Sequence, residues 1–354
     1  MTVPYKRISI KDVAEAAGVS RAAVSLVLNN GEIRISDEKR QRILQVAKEL
    51  NYTPHAGARR LALQKMETIG LIFADERRTL SNLFVSELTH SIAVEARRFG
   101  YDILLNYFDP SHLDQFPTTP GRVDGSILVV SRRISHDFLT RFEATRHPHV
   151  VIGGGFMHPK PTNFVDVDVS TGMLNATRHL IQNGHRNIGF FSTPSSEDKL
   201  NGYIVALTKH RLPVNPDYIV ECDMTDRAIE ATLDQILAMA HPPTALVTTN
   251  DWLAIRIIRF LRERGITVPE DMSITGFDNV EISSMITPPL TTVRVPEARI
   301  ANLAVEQVVK LIDQASTRPV QVMLPAELVY RKSTSPLLDP IGKSPSPASL
   351  ARAP

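Results

Sequence analysis

The chain has 354 residues, and because an ordinary domain holds about 150 residues, we expect two or three separate cores. The composition, 43% hydrophobic and 22% charged, is that of a globular protein, and no apolar run reaches the roughly 18 residues that cross a bilayer, which argues against a membrane protein. The charge is uneven, since residues 1–65 hold twelve Lys and Arg against six Asp and Glu, and the remainder holds 28 against 32. A basic start on a mildly acidic body indicates a polyanion partner for the first part of the chain.

The N-terminal residues and the cysteine count bear on the compartment. Asp12 and Glu15 fall where a secretory signal needs an apolar stretch, so we expect a cytoplasmic protein. Cys222 is the only cysteine, which excludes an intrachain disulfide and a thiolate-rich metal site. We expect no metal and no cofactor.

Three serines, each followed by a helical pattern of apolar residues, predict short helices that begin after Ser9, Ser20 and Ser36. Asp12 stands three residues after Ser9, as in a capping box, and Gly18 ends the first helix. The apolar stripes of the three helices predict one compact core, made of Val13, Ala14, Ala17, Val24, Val27, Leu28, Ile43, Leu44, Val46, Ala47 and Leu50.

Three short helices with one glycine turn are typical of a helix-turn-helix domain, whose second helix enters the DNA major groove with its N-terminal part. Arg21 can bind guanine through two hydrogen bonds, and Ala22 and Leu26 can contact thymine methyl groups. For Leu26, packing against the third helix is the alternative. The candidate DNA-contacting residues, on the face opposite the buried stripe, are Ser20, Arg21, Ala22, Ser25, Leu26 and Asn29.

The stretches IKDVAEAAGVSRAAVSLVLNN, from Ile10, and KELNYTP, ending at Pro54, resemble the headpiece of the lactose/galactose repressor (LacI/GalR) family of transcriptional regulators. The resemblance implies a DNA-binding headpiece at residues 1–53. Two positions depart from the family pattern, because Ala23 stands where Thr is usual and Leu26 where many members carry a base-contacting Arg. The operator sequence is therefore not implied by the resemblance.

Residues 54–66 follow the headpiece as a linker that can form a short helix. In the family the matching segment is a hinge helix that forms on operator DNA, and the resemblance makes Leu61 the residue that enters the minor groove. Such an apolar wedge unstacks a base step and lets bent DNA gain protein contacts. Ala58 and Ala62 would permit close approach, and Arg59 would meet a phosphate. The alternative is a flexible tether in which Leu61 has no role.

From Thr68 on, short apolar runs alternate with helical patterns, which predicts parallel βαβ architecture in a doubly wound α/β fold. Ligand loops should lie at the carboxyl ends of the strands. Predicted strands are residues 69–73, 102–106, 126–130, 150–152, 188–191, 245–248 and 273–275. Predicted helices are residues 83–98, 172–183, 228–239, 252–264 and 297–315.

Landmarks in this region, such as Val123-Asp124-Gly125, Asn250-Asp251 and Gly276-Phe277-Asp278-Asn279, resemble the sensor domain of the same family, which is a two-lobed, periplasmic-binding-protein-like (type I) fold. The resemblance implies three crossovers, which we expect near Asp168, Pro296 and Val320. The predicted effector-binding and dimerisation domain is then residues 67–335, with a first lobe of about 67–167 and 297–320 and a second lobe of about 168–296 and 321–335. A Pro- and Ser-rich tail at 336–354 is expected to be disordered.

The family's effector contacts, carried over to this sequence, give Asn250 and Asp278 as hydroxyl binders, with Asn82 and Phe84 on the other lobe. Amide and carboxylate groups suit a polyol. Three positions depart from the family: Lys199 stands where Arg usually grips the ligand, Gly153 replaces a frequent Asp, and Met224 stands where an aromatic is common. The predicted effector-binding set is Asn82, Phe84, Lys199, Met224, Asn250 and Asp278. The alternative for Asp278 is a strand-end carboxylate that caps a turn.

The resemblance implies a homodimeric repressor that binds a pseudo-palindromic operator under the control of a small, sugar-like effector. Two other classes remain as alternatives: a sugar-binding transport or chemoreceptor protein, and a sugar-processing enzyme with a regulatory head. We expect no enzyme, because the glycine and histidine clusters lack the spacing of a phosphate-binding loop or a metal site.

Overall fold

The computed structural model describes residues 8–28, 33–52, 65–73, 82–108, 121–130, 136–157, 160–314 and 318–337. The chain divides into two compact units, Met1–Glu67 and Thr68–Pro354. Most of the predicted hinge and the predicted tail beyond Leu337 lie outside the described residues, so both stay predictions. No helix of the described segments is long and apolar enough to cross a membrane.

The first unit contains the three predicted helices, α1 (Ile10–Ala17), α2 (Arg21–Leu28) and α3 (Asp37–Glu49). Each begins as its serine predicts. The backbone N–H of Ser9 donates to Asp12 Oδ2 at 2.7 Å, and the hydroxyl oxygen of Ser20 accepts from the backbone of Ala23 at 3.2 Å. Ser36 caps α3 in the same way. The buried core contains Val13, Ala14, Val24, Val27, Ile43, Val46 and Ala47, with Ala17, Leu28 and Leu50 packed against it. Leu44 was also predicted in the core, and that prediction is wrong, because it is 42% exposed on the solvent side of α3.

The second unit holds two six-stranded sheets, and each sheet defines a lobe. The first lobe consists of β1 (Thr68–Phe73), α4 (Leu83–Arg98), β2 (Asp102–Tyr107), β3 (Gly125–Val129), α5 (His136–Ala144), β4 (His149–Ile152), β5 (Phe164–Val167), α10 (Glu297–Ile312) and β11 (Gln321–Leu324). The second lobe consists of α6 (Val169–Gln182), β6 (Ile188–Ser192), α7 (Glu197–Lys209), β7 (Ile219–Glu221), α8 (Asp226–Leu237), β8 (Ala245–Thr248), α9 (Asp251–Glu263), β9 (Ser273–Asp278), β10 (Thr291–Arg294) and β12 (Glu327–Val329), with 3₁₀ turns at Pro216–Tyr218 and Glu281–Ser284.

The strand order is β11-β5-β4-β3-β1-β2 in the first lobe and β12-β10-β9-β8-β6-β7 in the second. Every pairing is parallel except that of β10 with β12. Central strands such as β1 and β8 are buried along their whole length, because helices cover both faces of a parallel sheet. This is the predicted doubly wound arrangement.

The chain passes between the lobes three times. The first passage is at Asp168, whose carboxylate caps α6 by accepting from the backbone N–H of Thr171 at 2.9 Å. The second lies between β10 and α10, at Pro296. The third was expected near Val320, and that boundary is wrong: β11 still pairs with β5, Val322 opposite Val165, so the passage follows Leu324. The backbone of β11 forms its hydrogen bonds with β5 in the first sheet, and only then does the chain continue to β12.

Candidate functional site

Helix α2 presents the predicted DNA-contacting side chains on its solvent side. Arg21 and Ala22 are exposed, and Ser25 is half-buried. Leu26 is 40% exposed, so it reaches solvent although the larger part of its surface is covered by the protein. Ala23, which departs from the family pattern, is buried and faces the core. Asn29 and the hinge residues Ala58, Arg59, Leu61 and Ala62 lie outside the described residues.

A cavity of about 330 Å³ lies between the two lobes of the second unit, where the carboxyl ends of both sheets face each other. Its volume is at the small end of the range of about 300–1,000 Å³ that small-molecule sites occupy. Five of the six predicted effector residues line it, namely Asn82, Phe84, Lys199, Asn250 and Asp278. Residues that lie up to 196 positions apart in sequence are thus brought to one site.

The sixth, Met224, is not in the cavity wall. It follows β7, an edge strand of the second sheet, and packs against the cluster formed by α8, α9 and β8. Its backbone carbonyl accepts a hydrogen bond from the Arg256 guanidinium. The structure therefore does not bring Met224 together with the other five predicted residues, because the loop after this edge strand packs against the outer helices.

Asn82 and Asn250 line the cavity from opposite lobes, and each places a side-chain amide there. The side-chain oxygen of Asn82 caps α4, accepting from the backbone of Phe84 at 3.0 Å and of Val85 at 3.4 Å. The side-chain oxygen of Asn250 caps α9, accepting from the backbone of Leu253 at 2.8 Å. Because the oxygens are used by the helices, the hydrogen-bond pattern assigns the NH₂ groups as the ligand-facing donors.

Lys199, in the first turn of α7, packs against second-lobe residues at the cavity. Its ammonium nitrogen donates to the backbone oxygen of Thr249 at 2.6 Å and lies 3.9 Å from the centre of the Phe277 ring. Burial lowers the pKa of Lys199, and the nearby carboxylates of Asp278 and Asp251 act in the opposite direction. The ammonium is thus a compact charge with partners already in place.

Asp278 is the last residue of β9 and faces the cavity. Its φ of 106° and the φ of 60° at Asn279 bend the chain sharply at the strand end, in the left-handed region that non-glycine residues rarely adopt. Within the described residues its carboxylate has no hydrogen-bond donor, so the turn-cap alternative has no support there. Burial raises the pKa of Asp278 to about 6, with Lys199 opposing the rise.

Asp251 was identified only as a landmark in the sequence, yet it holds this turn in place. Its carboxylate is fully buried and accepts from the backbone N–H of Val280 at 2.9 Å and from the hydroxyl of Thr292. Burial and the charge of Asp278 raise its pKa to about 8. The absence of a side chain at Gly276 makes room for it, since a Cβ there would lie 2.2 Å from Asp251 Oδ1. The signal in the sequence was the apolar run on both sides of one acidic residue.

Asp166, near the end of β5, is a cavity residue that the sequence analysis missed. Its carboxylate accepts from the backbone of Gly155 at 2.8 Å and of Val167 at 2.7 Å. Burial raises its pKa, and the charge of Asp198 adds to the rise. Asp198, in the first turn of α7, lines the cavity from the other lobe. Strand β5 was not predicted, so no pattern placed Asp166 at a strand end.

Two protein-family models match the chain. The family described as "Bacterial regulatory proteins, lacI family" matches residues 9–55, and the family described as "Periplasmic binding protein-like domain" matches residues 177–334. The probable HTH-type transcriptional repressor ExuR of Bacillus subtilis (strain 168) is 32% identical over 336 residues, which span 92% of this chain and 98% of that protein. The catabolite control protein A of Priestia megaterium is 33% identical over 336 residues, spanning 92% and 99% of the two chains. This chain belongs to the LacI family.

Among solved structures, the Lac repressor dimer bound to operator and the anti-inducer ONPF is similar to this LacI-family protein, with a TM-score of 0.81 and 26% identity over 93% of this chain and 100% of that one. The predicted fold, a helix-turn-helix domain followed by a periplasmic-binding-protein-like domain, is confirmed. The LacI-family protein is a DNA-binding transcriptional regulator, and the transport alternative is not favoured.

Proposed function

We propose that this LacI-family protein is a homodimeric repressor whose affinity for a pseudo-palindromic operator is set by a small, hydroxylated effector bound between the lobes of the second unit. The observation that carries the proposal is that one chain combines an exposed recognition helix with a cavity whose polar groups come from both lobes.

On the DNA side, the exposed face of α2 supplies the contacts. Arg21 reads a guanine, while Ala22 and Leu26 contact thymine methyl groups, since a partly exposed leucine on the recognition helix is suited to the 5-methyl group of thymine. Each chain has one such helix, so two chains are needed for two half-sites about one helical turn apart. Ser20, Ser25 and Asn29 complete the contact set. In the hinge, Leu61 enters the minor groove, Ala58 and Ala62 permit the close approach, and Arg59 meets a phosphate.

On the effector side, the NH₂ groups of Asn82 and Asn250 donate to ligand hydroxyls from opposite lobes, and Asp278 accepts from them. Phe84 supplies an apolar face for the ligand ring. A ligand that touches both lobes favours the arrangement of the lobes that fits it, and it changes operator affinity only as far as its affinities for the two arrangements differ.

The DNA half is tested with an operator selected from random duplexes by the protein itself. Arg21→Ala should weaken operator binding by about 1 to 3 kcal/mol and relax base preference at a single position of each half-site. Arg42→Ala, which removes an equal charge from an exposed site on α3, is the matched control and should change operator affinity far less. Equal losses in the two variants, or equal affinity for single and paired half-sites, would contradict the proposal.

A further inference from the structure

A hydrogen bond outside the cavity wall joins the two lobes of the second unit. Glu87, in the first-lobe helix α4, accepts at Oε1 from the backbone N–H of Glu281 at 3.1 Å. Glu281 is the first residue of the 3₁₀ turn Glu281–Ser284 in the second lobe. Glu87 is half-buried and is not among the described residues that line the cavity. The Glu87–Glu281 bond therefore connects the lobes without using a ligand-facing group.

The donor of the Glu87–Glu281 bond has a fixed place in the second lobe. The carboxylate of Asp251 accepts from the backbone N–H of Val280, the residue before Glu281, at 2.9 Å. The guanidinium of Arg331 donates to the side-chain oxygen of Asn279 at 2.6 Å. Because these two contacts hold the chain just before the 3₁₀ turn, the N–H of Glu281 moves with the lobe as a whole.

The acceptor is held in the first lobe by the packing of α4. Leu88, the next residue, and Ile92, one turn further on, are buried in the core, and α4 packs along α10. A rigid helix keeps a side chain at a defined position. The length of the Glu87–Glu281 bond therefore depends on the arrangement of the two lobes.

Both partners of the Glu87–Glu281 bond lie close in the chain to residues of the cavity wall. Phe84 and Leu88 line the cavity from α4, three residues before and one residue after Glu87. Asp278 lines it from the end of β9, three residues before Glu281. A ligand that spans from Phe84 to Asp278 needs a particular spacing of α4 and β9, and the same two segments set the spacing of the bond.

We propose that Glu87 is a positioning residue of the effector response, whose bond to Glu281 favours the arrangement of the lobes in which both walls of the cavity reach the ligand. The bond and the ligand then stabilise the same arrangement, and Glu87 acts on ligand affinity without touching the ligand. This inference rests on the proposed function, since it concerns the regulation of the same cavity.

Substitutions at Glu87 separate the bond from the charge. The charge matters by itself, because the carboxylates of Glu297 and Glu281 raise the pKa of Glu87, and Glu87 raises that of Asp278. Glu87→Gln removes the charge but keeps an oxygen that accepts from the same N–H. Glu87→Asp keeps the charge on a side chain that is one methylene too short, and Glu87→Ala removes both. An effect of the bond appears in the Asp and Ala variants and not in the Gln variant.

The first test measures the distance between the lobes in the full chain without ligand. Spin labels are attached at Arg97→Cys on α4 and Arg227→Cys on α8, both exposed positions, and their distances are measured by double electron–electron resonance. The native thiol of Cys222 is buried and its pKa is raised to about 11, so it reacts little at pH 7. An excess of unlabelled chain suppresses distances between copies.

Glu87→Ala and Glu87→Asp should raise the population of a second interlobe distance, relative to the wild-type distance, about three- to tenfold, as expected for the loss of one hydrogen bond. Glu87→Gln should keep the wild-type distribution. Glu221→Ala is the matched control, because it removes an exposed carboxylate at the end of the edge strand β7, and it should also keep that distribution.

The second test measures ligand affinity by calorimetry with D-glucose, D-galactose, D-ribose, D-glucuronate and D-galacturonate. For each sugar that binds the wild type, the Kd of Glu87→Ala should rise by the factor by which the fraction with the wild-type interlobe distance falls. Glu87→Gln and Glu221→Ala should change the Kd less than twofold. Agreement between the two measurements links the Glu87–Glu281 bond to the ligand site.

The outcomes separate this inference from the proposed function. One unchanged distance distribution in the wild type, Glu87→Ala and Glu87→Asp would overturn the inference, and so would equal changes in Glu87→Gln and Glu87→Ala, which would assign the effect to the charge. A panel in which no sugar binds contradicts the sugar-like effector of the proposed function, and the interlobe distances then decide the inference alone.

Discussion

At the scale of single residues, the backbone conformation explains why glycine stands at position 153. Gly153, which departs from the family's frequent Asp, has a φ of 84°, and a Cβ there would lie 2.7 Å from the backbone oxygen of Val130. An aspartate at this position would be strained whatever it bound. The sequence identified Gly153 as a departure, but only the backbone conformation gives the departure its physical reason.

The buried side chain of His185 links the stability of the fold to pH. It is 2% exposed, and its ring nitrogens bond the hydroxyl of Thr244 at 2.9 Å, the hydroxyl of Ser273 at 3.0 Å and the backbone oxygen of Ser335 at 3.2 Å. Burial lowers its pKa below the ordinary value. The folded chain therefore binds fewer protons at His185 than the unfolded chain does, so the stability that the neutral ring contributes is full above about pH 6.5 and is lost as pH falls below it.

Comparison with His185→Gln isolates this contribution from other titrating groups. The variant keeps an acceptor and a donor but does not titrate, so the stability advantage of the wild type should shrink as pH falls from 7.5 to 5. The measurement is denaturant unfolding of the two proteins across that range. A constant difference between them would show that His185 has the same proton affinity in the folded and unfolded chains.

The sequence predicted elements well where a pattern was long. Helix α4 has the predicted bounds, and the helices of the headpiece begin at their predicted caps. The short strands β5, β7, β10, β11 and β12 were not predicted, because a run of three or four residues carries too little periodicity. The same weakness displaced the third crossover and hid Asp166. Five of the six effector residues implied by the family resemblance line the cavity, whereas Met224 does not.

Gly202 determines how two helices of the second lobe pack. A Cβ at Gly202 would lie 2.1 Å from the backbone oxygen of Ser170, so α6 and α7 can approach this closely only with glycine there. Gly202→Ala should destabilise the fold by about 1 to 3 kcal/mol, because the backbones must separate. Thr208→Ala, at an exposed position of α7, is the control and should have little effect on the melting temperature. Equal melting temperatures for wild type and Gly202→Ala would contradict the close approach.

At the scale of the whole molecule, one hydrogen bond among the described residues joins the lobes directly, in addition to the three crossovers. The carboxylate of Glu87 on α4 accepts from the backbone N–H of Glu281 in the second lobe at 3.1 Å. Burial raises the pKa of Glu87, as do the charges of Glu297 and Glu281. A movement of the lobes would change this contact, and a ligand that touches both lobes can shift their arrangement as far as its affinities for the two arrangements differ.

The central claim, that a ligand between the lobes controls operator binding, depends most directly on Asp278. Asp278→Asn is nearly isosteric, but it replaces an acceptor oxygen with a donor, so each hydroxyl bonded to the carboxylate loses about 1 to 3 kcal/mol. The measurement is operator binding titrated with a sugar that changes the operator affinity of the wild type, for wild type and variant side by side. We predict that the ligand midpoint rises about ten- to hundredfold, while ligand-free operator affinity stays within about threefold. An unchanged midpoint would remove Asp278 from the ligand site, and loss of ligand-free operator binding would make it a structural residue.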